Sequence, residues 1–109
     1  MPDSLSKYEE LILLAVWRLQ DDAYGATIRS LLQETTGEDW SIAGVYGPLK
    51  RLEQAGLVST RAGLPTPERG GRSKRYFRLT RSGVAALNHA RAVQEEMWAN
   101  LPKLILGGS

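Results

Sequence analysis

One succession of residues, between Ser41 and Leu79, narrows the folds open to this chain more than any other. Ser41 is a good helix N-cap. After it, Ile42, Val45, Leu49 and Leu52 recur at spacings of three and four. That predicts a helix with this row as its buried face. Trp40 and Val45 stand at the two hydrophobic-staple positions around the cap. Gly56 ends the helix, and Leu57 to Arg61 reads as a strand. The stretch from Leu64 to Gly71 holds two prolines and two glycines, which predicts a loop. Lys74 to Leu79, rich in basic and aromatic residues, predicts a second strand pairing back on the first. The order is therefore helix, strand, basic tip, strand.

The flanking segments are helical. Ser6 and Glu9 form an S-x-x-E capping box at the start of a helix expected over about Leu5 to Leu19. Tyr8, Leu11, Ile12, Ala15 and Leu19 form one apolar stripe on it, and Leu13, Leu14, Val16 and Trp17 widen that stripe beyond a single face. A helix apolar on several sides is buried on several sides. Asp21-Asp22 predicts a turn and the start of a second helix over about Ala23 to Thr36, closed by Gly37 in the left-handed conformation. Two short helices joined by about four residues suit a helix-turn-helix. Thr80 caps a last helix expected from Arg81 to Leu101, ended by Pro102. It carries Val84, Leu87, Ala90, Val93, Met97, Trp98 and Leu101. At about twenty residues such a helix is ~30 Å long, more than a small domain covers alone.

The fold class expected is mainly α with a small β-hairpin: a winged helix-turn-helix over 1–80 and a C-terminal dimerisation helix and tail over 81–109. Leu13, Leu14, Trp17, Leu87, Ala90, Val93, Met97, Trp98 and Leu101 are the expected contacts with a second copy of the chain.

Size and charge fit this picture. The chain has 109 residues, which suits one compact domain. It has no cysteine, which removes disulfides, thiolate metal sites and thiol nucleophiles and fits a reducing cytosol. The longest apolar run, Leu11 to Trp17, is too short to span a bilayer and follows Glu9-Glu10 instead of a basic segment. A soluble cytoplasmic protein with no membrane partner is expected. The formal net charge of +2 hides a segregation: residues 1–49 carry a net −5, residues 50–81 a net +7, and residues 82–109 balance. A concentrated positive region attracts a polyanion even when the whole is nearly neutral.

Double-stranded DNA is the polyanion that fits. A major groove admits one helix, whose leading residues approach base edges. Ala43, Gly44 and Gly47 keep the start of the predicted helix slim, Tyr46 offers a hydroxyl, and Lys50 follows one turn later. Arg51 lies near the edge, for DNA or a local partner. Ser41 leaves free N–H groups behind it that suit a phosphate. Arg69, Arg72 and Lys74 on the hairpin tip would follow the sugar-phosphate backbone. Gly44, Gly47 and Pro48 are poor helix formers, at about 1 kcal/mol for each glycine and about 3 kcal/mol for the proline. Two readings of Pro48 stand: a distorted helix whose backbone comes close to DNA, or a later helix start with 42–47 irregular.

Tyr24-Gly25, then Val45-Tyr46 with Leu49-Lys-Arg-Leu-Glu53, Gly56-Leu-Val58, Gly70-Gly-Arg72 and Lys74 to Thr80 form a recognisable order. In these residues the chain resembles the PadR family of winged helix-turn-helix transcriptional regulators, in the branch with a single C-terminal helix. The resemblance implies a sequence-specific homodimeric repressor on an inverted-repeat operator, with the last helix forming much of the interface, and adds Tyr24 to the expected DNA contacts. It also implies a small aromatic effector held between tryptophans at that interface, for which Trp17 and Trp98 are the candidates. Two residues depart from the family pattern: Gly44 replaces a frequent hydroxyl residue, and Gly47 separates Tyr46 from Pro48.

An enzyme is not expected, nor any cofactor or metal. His89 is the only histidine, set among alanines without a carboxylate at helical spacing. Glu9-Glu10 and Glu95-Glu96 are adjacent pairs that point about 100° apart on a helix and do not converge. The competing class is a winged-helix module that binds proteins and no DNA, because a fold alone does not settle function.

Overall fold

The computed structural model describes residues 4–63 and 74–102. The elements are α1 (Lys7–Leu19), a short 3-10 turn (Gln20–Asp22), α2 (Gly25–Thr36), α3 (Ile42–Gln54), β1 (Val58–Ala62), β2 (Arg75–Leu79) and α4 (Arg81–Trp98). The capping box forms as the sequence pattern predicts. The Glu9 N–H donates to Ser6 Oγ at 3.1 Å, and the Ser6 N–H donates to the Glu9 carboxylate at 2.8 Å. Because Ser6 is the cap, α1 starts at Lys7 and not at Leu5.

The second helix starts two residues later than its aspartates suggest. Ala23 and Tyr24 are extended and serve as a short third edge to the hairpin. Tyr24 bridges Tyr76 in antiparallel fashion, and the Phe77 N–H donates to the Ala23 carbonyl at 2.8 Å. Thr27 Oγ1 accepts the Tyr24 N–H at 3.0 Å, which fixes the entry into α2. At the other end Gly37 adopts φ 72° and donates its N–H to the Gln33 carbonyl, as a left-handed helix terminus does.

Trp40 locks the turn between α2 and α3. Its N–H donates to Gln33 Oε1 at 3.1 Å, its indole N–H to Thr36 Oγ1 at 3.1 Å, and its carbonyl accepts the Arg29 guanidinium. Ser41 Oγ then accepts the Gly44 N–H at 2.9 Å. Of the two readings of Pro48, the continuous helix is the one observed. The proline lies inside α3 and is buried. Its missing N–H leaves the Gly44 carbonyl without its usual helical donor, and burial of the ring offsets part of that loss.

The strands pair antiparallel from Val58↔Leu79 to Ala62↔Arg75; β1 is shifted one residue from the limits the sequence suggests, and β2 starts one residue later but ends at Leu79 as expected. Thr80 joins the hairpin to α4: its hydroxyl accepts the Gly83 N–H at 3.0 Å and donates to the Gly56 carbonyl at 2.6 Å. A Cβ on Gly83 would collide with the Leu57 carbonyl, so only glycine lets α4 begin this close to β1.

The core gathers Ile12, Leu13, Val16, Ile28, Val45, Leu49 and Leu52 from three helices, with Val58 and Phe77 from the strands. Two expectations fail here. Leu13 is 0% exposed within a single copy, so it belongs to this core and not to an interface with a second copy. Ile42 is 64% exposed and leaves the buried row, because as the first residue of α3 it projects past the end of the core. The last helix also ends early, at Trp98. Ala99 is extended and Asn100 takes φ 60°, so Leu101 lies beyond the helix, where the following Pro102 disfavours helical backbone. Among the described residues no helix is long and apolar enough to cross a membrane.

Candidate nucleic-acid interface

α3 meets the root of the hairpin through the first turn of α2. The Tyr46 ring lies over Gly25 so closely that a Cβ there would collide with the phenol hydroxyl. Next to Gly25, the Tyr24 ring packs edge-on against Tyr76, with centroids 5.4 Å apart. Lys74 Nζ stands 4.4 Å from the centre of the Tyr24 ring and donates to the Tyr24 hydroxyl at 3.3 Å. Tyr46, Tyr24 and Lys74 therefore form one continuous run from the helix to the wing. Lys50, exposed, continues it along α3.

The remaining sequence-predicted residues divide. Ala43 is exposed, and Gly44 and Gly47 are half-buried on the slim leading part of α3. Ser41 is exposed, but its hydroxyl is engaged as the helix cap. Arg51 turns toward α1, with Nε 3.8 Å from a Glu9 oxygen, a quarter-turn or so away from Lys50. Its guanidinium stays well exposed, so this is a weak surface pair. Arg69 and Arg72 lie outside the described residues.

Two contributors went unnoticed in the sequence. Arg61 on β1 faces Tyr76 across the hairpin and sits 4.7 Å above its ring. The cross-strand register could have signalled that pair, but the strand limits read from the sequence are one residue off. Arg78 is 3.4 Å from Asp21, which ties β2 to the 3-10 turn through an exposed pair.

A second feature lies on the opposite part of the chain. A groove of about 850 Å³ runs between α1 and α4, lined by Leu14, Trp17, Leu87, Arg91, Glu95 and Trp98. Leu14, Trp17, Val93, Met97, Trp98 and Leu101 expose large apolar surfaces, while Leu87 and Ala90 are half-buried. Trp17 and Trp98, both more than half exposed, line the same groove.

A helix-turn-helix (α2 and α3) followed by an antiparallel hairpin defines a winged helix-turn-helix, here with one added C-terminal helix. The model of the transcriptional regulator PadR-like family matches residues 13–89, and the chain belongs to that family. It is a transcriptional regulator of the DNA-binding kind. Among solved structures it is similar to a PadR-like transcription factor from Bacteroides fragilis, with 25% identity, 82% of this chain and 81% of that one covered, and a TM-score of 0.69. RosR from H. salinarum is similar in fold at 22% identity, covering 90% and 81%, with a TM-score of 0.70. A PadR family transcription regulator from Clostridium difficile R20291 superimposes with a TM-score of 0.64 at 20% identity over 83% and 90%. Among curated proteins none matches the chain.

Proposed function

We propose that two copies of this chain bind one inverted-repeat operator and repress transcription from it. Residues 1–80 dock on DNA, and 81–109 hold the copies together. The observation that carries this reading is the run Tyr46, Gly25, Tyr24, Lys74, which puts the slim helix and the root of the basic hairpin on a single surface. α3 enters the major groove with Ala43, Gly44 and Gly47 against the base edges. Tyr46, Lys50, Tyr24 and Lys74 contact phosphates, and Arg69 and Arg72 extend those contacts beyond the wing root. Contacts of this type fix the register of a protein on the duplex. Ser41 sets the start of α3, and Arg51 steadies the helix against α1.

The second copy covers the α1–α4 groove. Burying one large apolar side chain contributes about 1.5–3 kcal/mol. Leu14, Trp17 and Trp98 line that groove, and Val93, Met97 and Leu101 add exposed apolar side chains on and just after α4. A flat aromatic effector that enters between Trp17 and Trp98 would change how the copies are spaced and release the operator. The experiment is a mobility shift with random duplex at low salt, followed by footprinting on genomic DNA. Retarded duplex and a protected inverted repeat are expected. Free duplex at micromolar protein would contradict the proposal.

A further inference from the structure

We propose that Ile42 reads the C5-methyl group of a thymine in the major groove. The inference rests on the operator-binding reading and names what that site recognises.

Past the Ser41 cap, the only hydrogen-bonding side chain in the first two turns of α3 is Tyr46. Ser41 Oγ accepts the Gly44 N–H at 2.9 Å, which holds this side chain and its one O–H donor back at the cap. Ala43 offers a methyl group, and Gly44 and Gly47 offer no side chain. Val45 is fully buried. Tyr46 lays its ring over Gly25, toward the root of the wing. The first flexible donor on this face is Lys50, two turns beyond Ile42. What remains at the tip is Ile42 itself, the first residue of α3 and 64% exposed.

An apolar tip cannot read the donors and acceptors of adenine, guanine or cytosine. The apolar feature of a major-groove edge is the thymine methyl, and apolar side chains recognise it by contact. Ile42, with Ala43 beside it, therefore selects thymine and is indifferent to the hydrogen-bonding pattern of the other bases. A β-branched side chain on a helix is held to one χ1 rotamer, so its methyl groups are presented at a fixed place.

The test uses the duplex selected from a random pool by the wild-type protein. Each thymine of one half-site is replaced in turn by deoxyuridine, which removes only the methyl group. Binding is measured by fluorescence anisotropy for wild type, Ile42→Val and Ile42→Ala. Wild type should lose roughly fourfold in affinity at one thymine, the worth of one buried methyl. Ile42→Ala should bind thymine and uracil duplexes alike, and Ile42→Val should keep the discrimination. Because Ile42 is exposed, these variants fold as wild type does, which thermal melting checks. Equal wild-type binding to all uracil duplexes would overturn the inference while leaving the regulator reading intact. Full discrimination in Ile42→Ala would also overturn it. Failure of wild type to select any duplex would instead overturn the operator-binding reading, and this inference with it.

Discussion

Gly25 lacks a side chain at the one place where the Tyr46 ring needs the space. Gly25→Ala is expected to push the ring aside. Overpacking of this kind costs about 1–3 kcal/mol, which a lowered melting temperature would record, and duplex affinity should fall with it. Tyr46→Phe keeps the ring and loses the hydroxyl, so it should weaken DNA binding while leaving the melting temperature nearly unchanged. Lys50 is exposed. Lys50→Ala should leave stability within about 0.5 kcal/mol of wild type and should flatten the salt dependence of binding. Each lost phosphate contact lowers the slope of log K against log salt by about 0.9. An unchanged slope would show that Lys50 does not face the duplex.

At the scale of elements, two residues at helix starts govern how the parts meet. Ser41→Ala removes the cap that sets the first turn of α3, at about 1 kcal/mol. Gly83→Ala drives a methyl into the Leu57 carbonyl, so it should destabilise the joint between hairpin and α4 more than Ser41→Ala does. Denaturant unfolding of both variants checks that order. Most of these elements were legible in the sequence because their signals are local. Ser6 with Glu9, Gly37, Ser41 and Thr80 each act within a few residues of themselves. What escaped depends on distant partners. The start of α2 is set by Tyr24 bridging Tyr76, some fifty residues away, which no local pattern of Asp21 and Asp22 reveals. Helical spacing put Ile42 in the buried row, but spacing cannot say where the core ends. Leu13 and Leu14 both looked like surplus apolar residues; only the packing of α1 against its neighbours separates the buried one from the exposed one. The Tyr24-Gly25 pair was legible only as part of a family pattern, and its physical reason, the ring of Tyr46 from α3, is a tertiary contact.

At the scale of the whole molecule, the chain has two unlike ends. One carries the α3 helix and the wing root; the other carries α4, whose residues from Arg91 onward are all exposed within a single copy. A second copy covering that end is the economical solution. Light scattering is expected to give the mass of a dimer, and Trp98→Asp or Val93→Asp should shift it toward a monomer. A wild-type monomer at tens of micromolar would remove the proposed interface. Dimer symmetry would then set the spacing of the two α3 helices on DNA. The central claim, that α3 and the wing root dock together on one duplex, is tested most directly by footprinting the selected duplex. Two protected half-sites about one helical turn apart are predicted, with protection lost when Tyr46, Lys50 and Lys74 are all replaced by alanine. Wild-type protection that persists unchanged in that triple variant would contradict it.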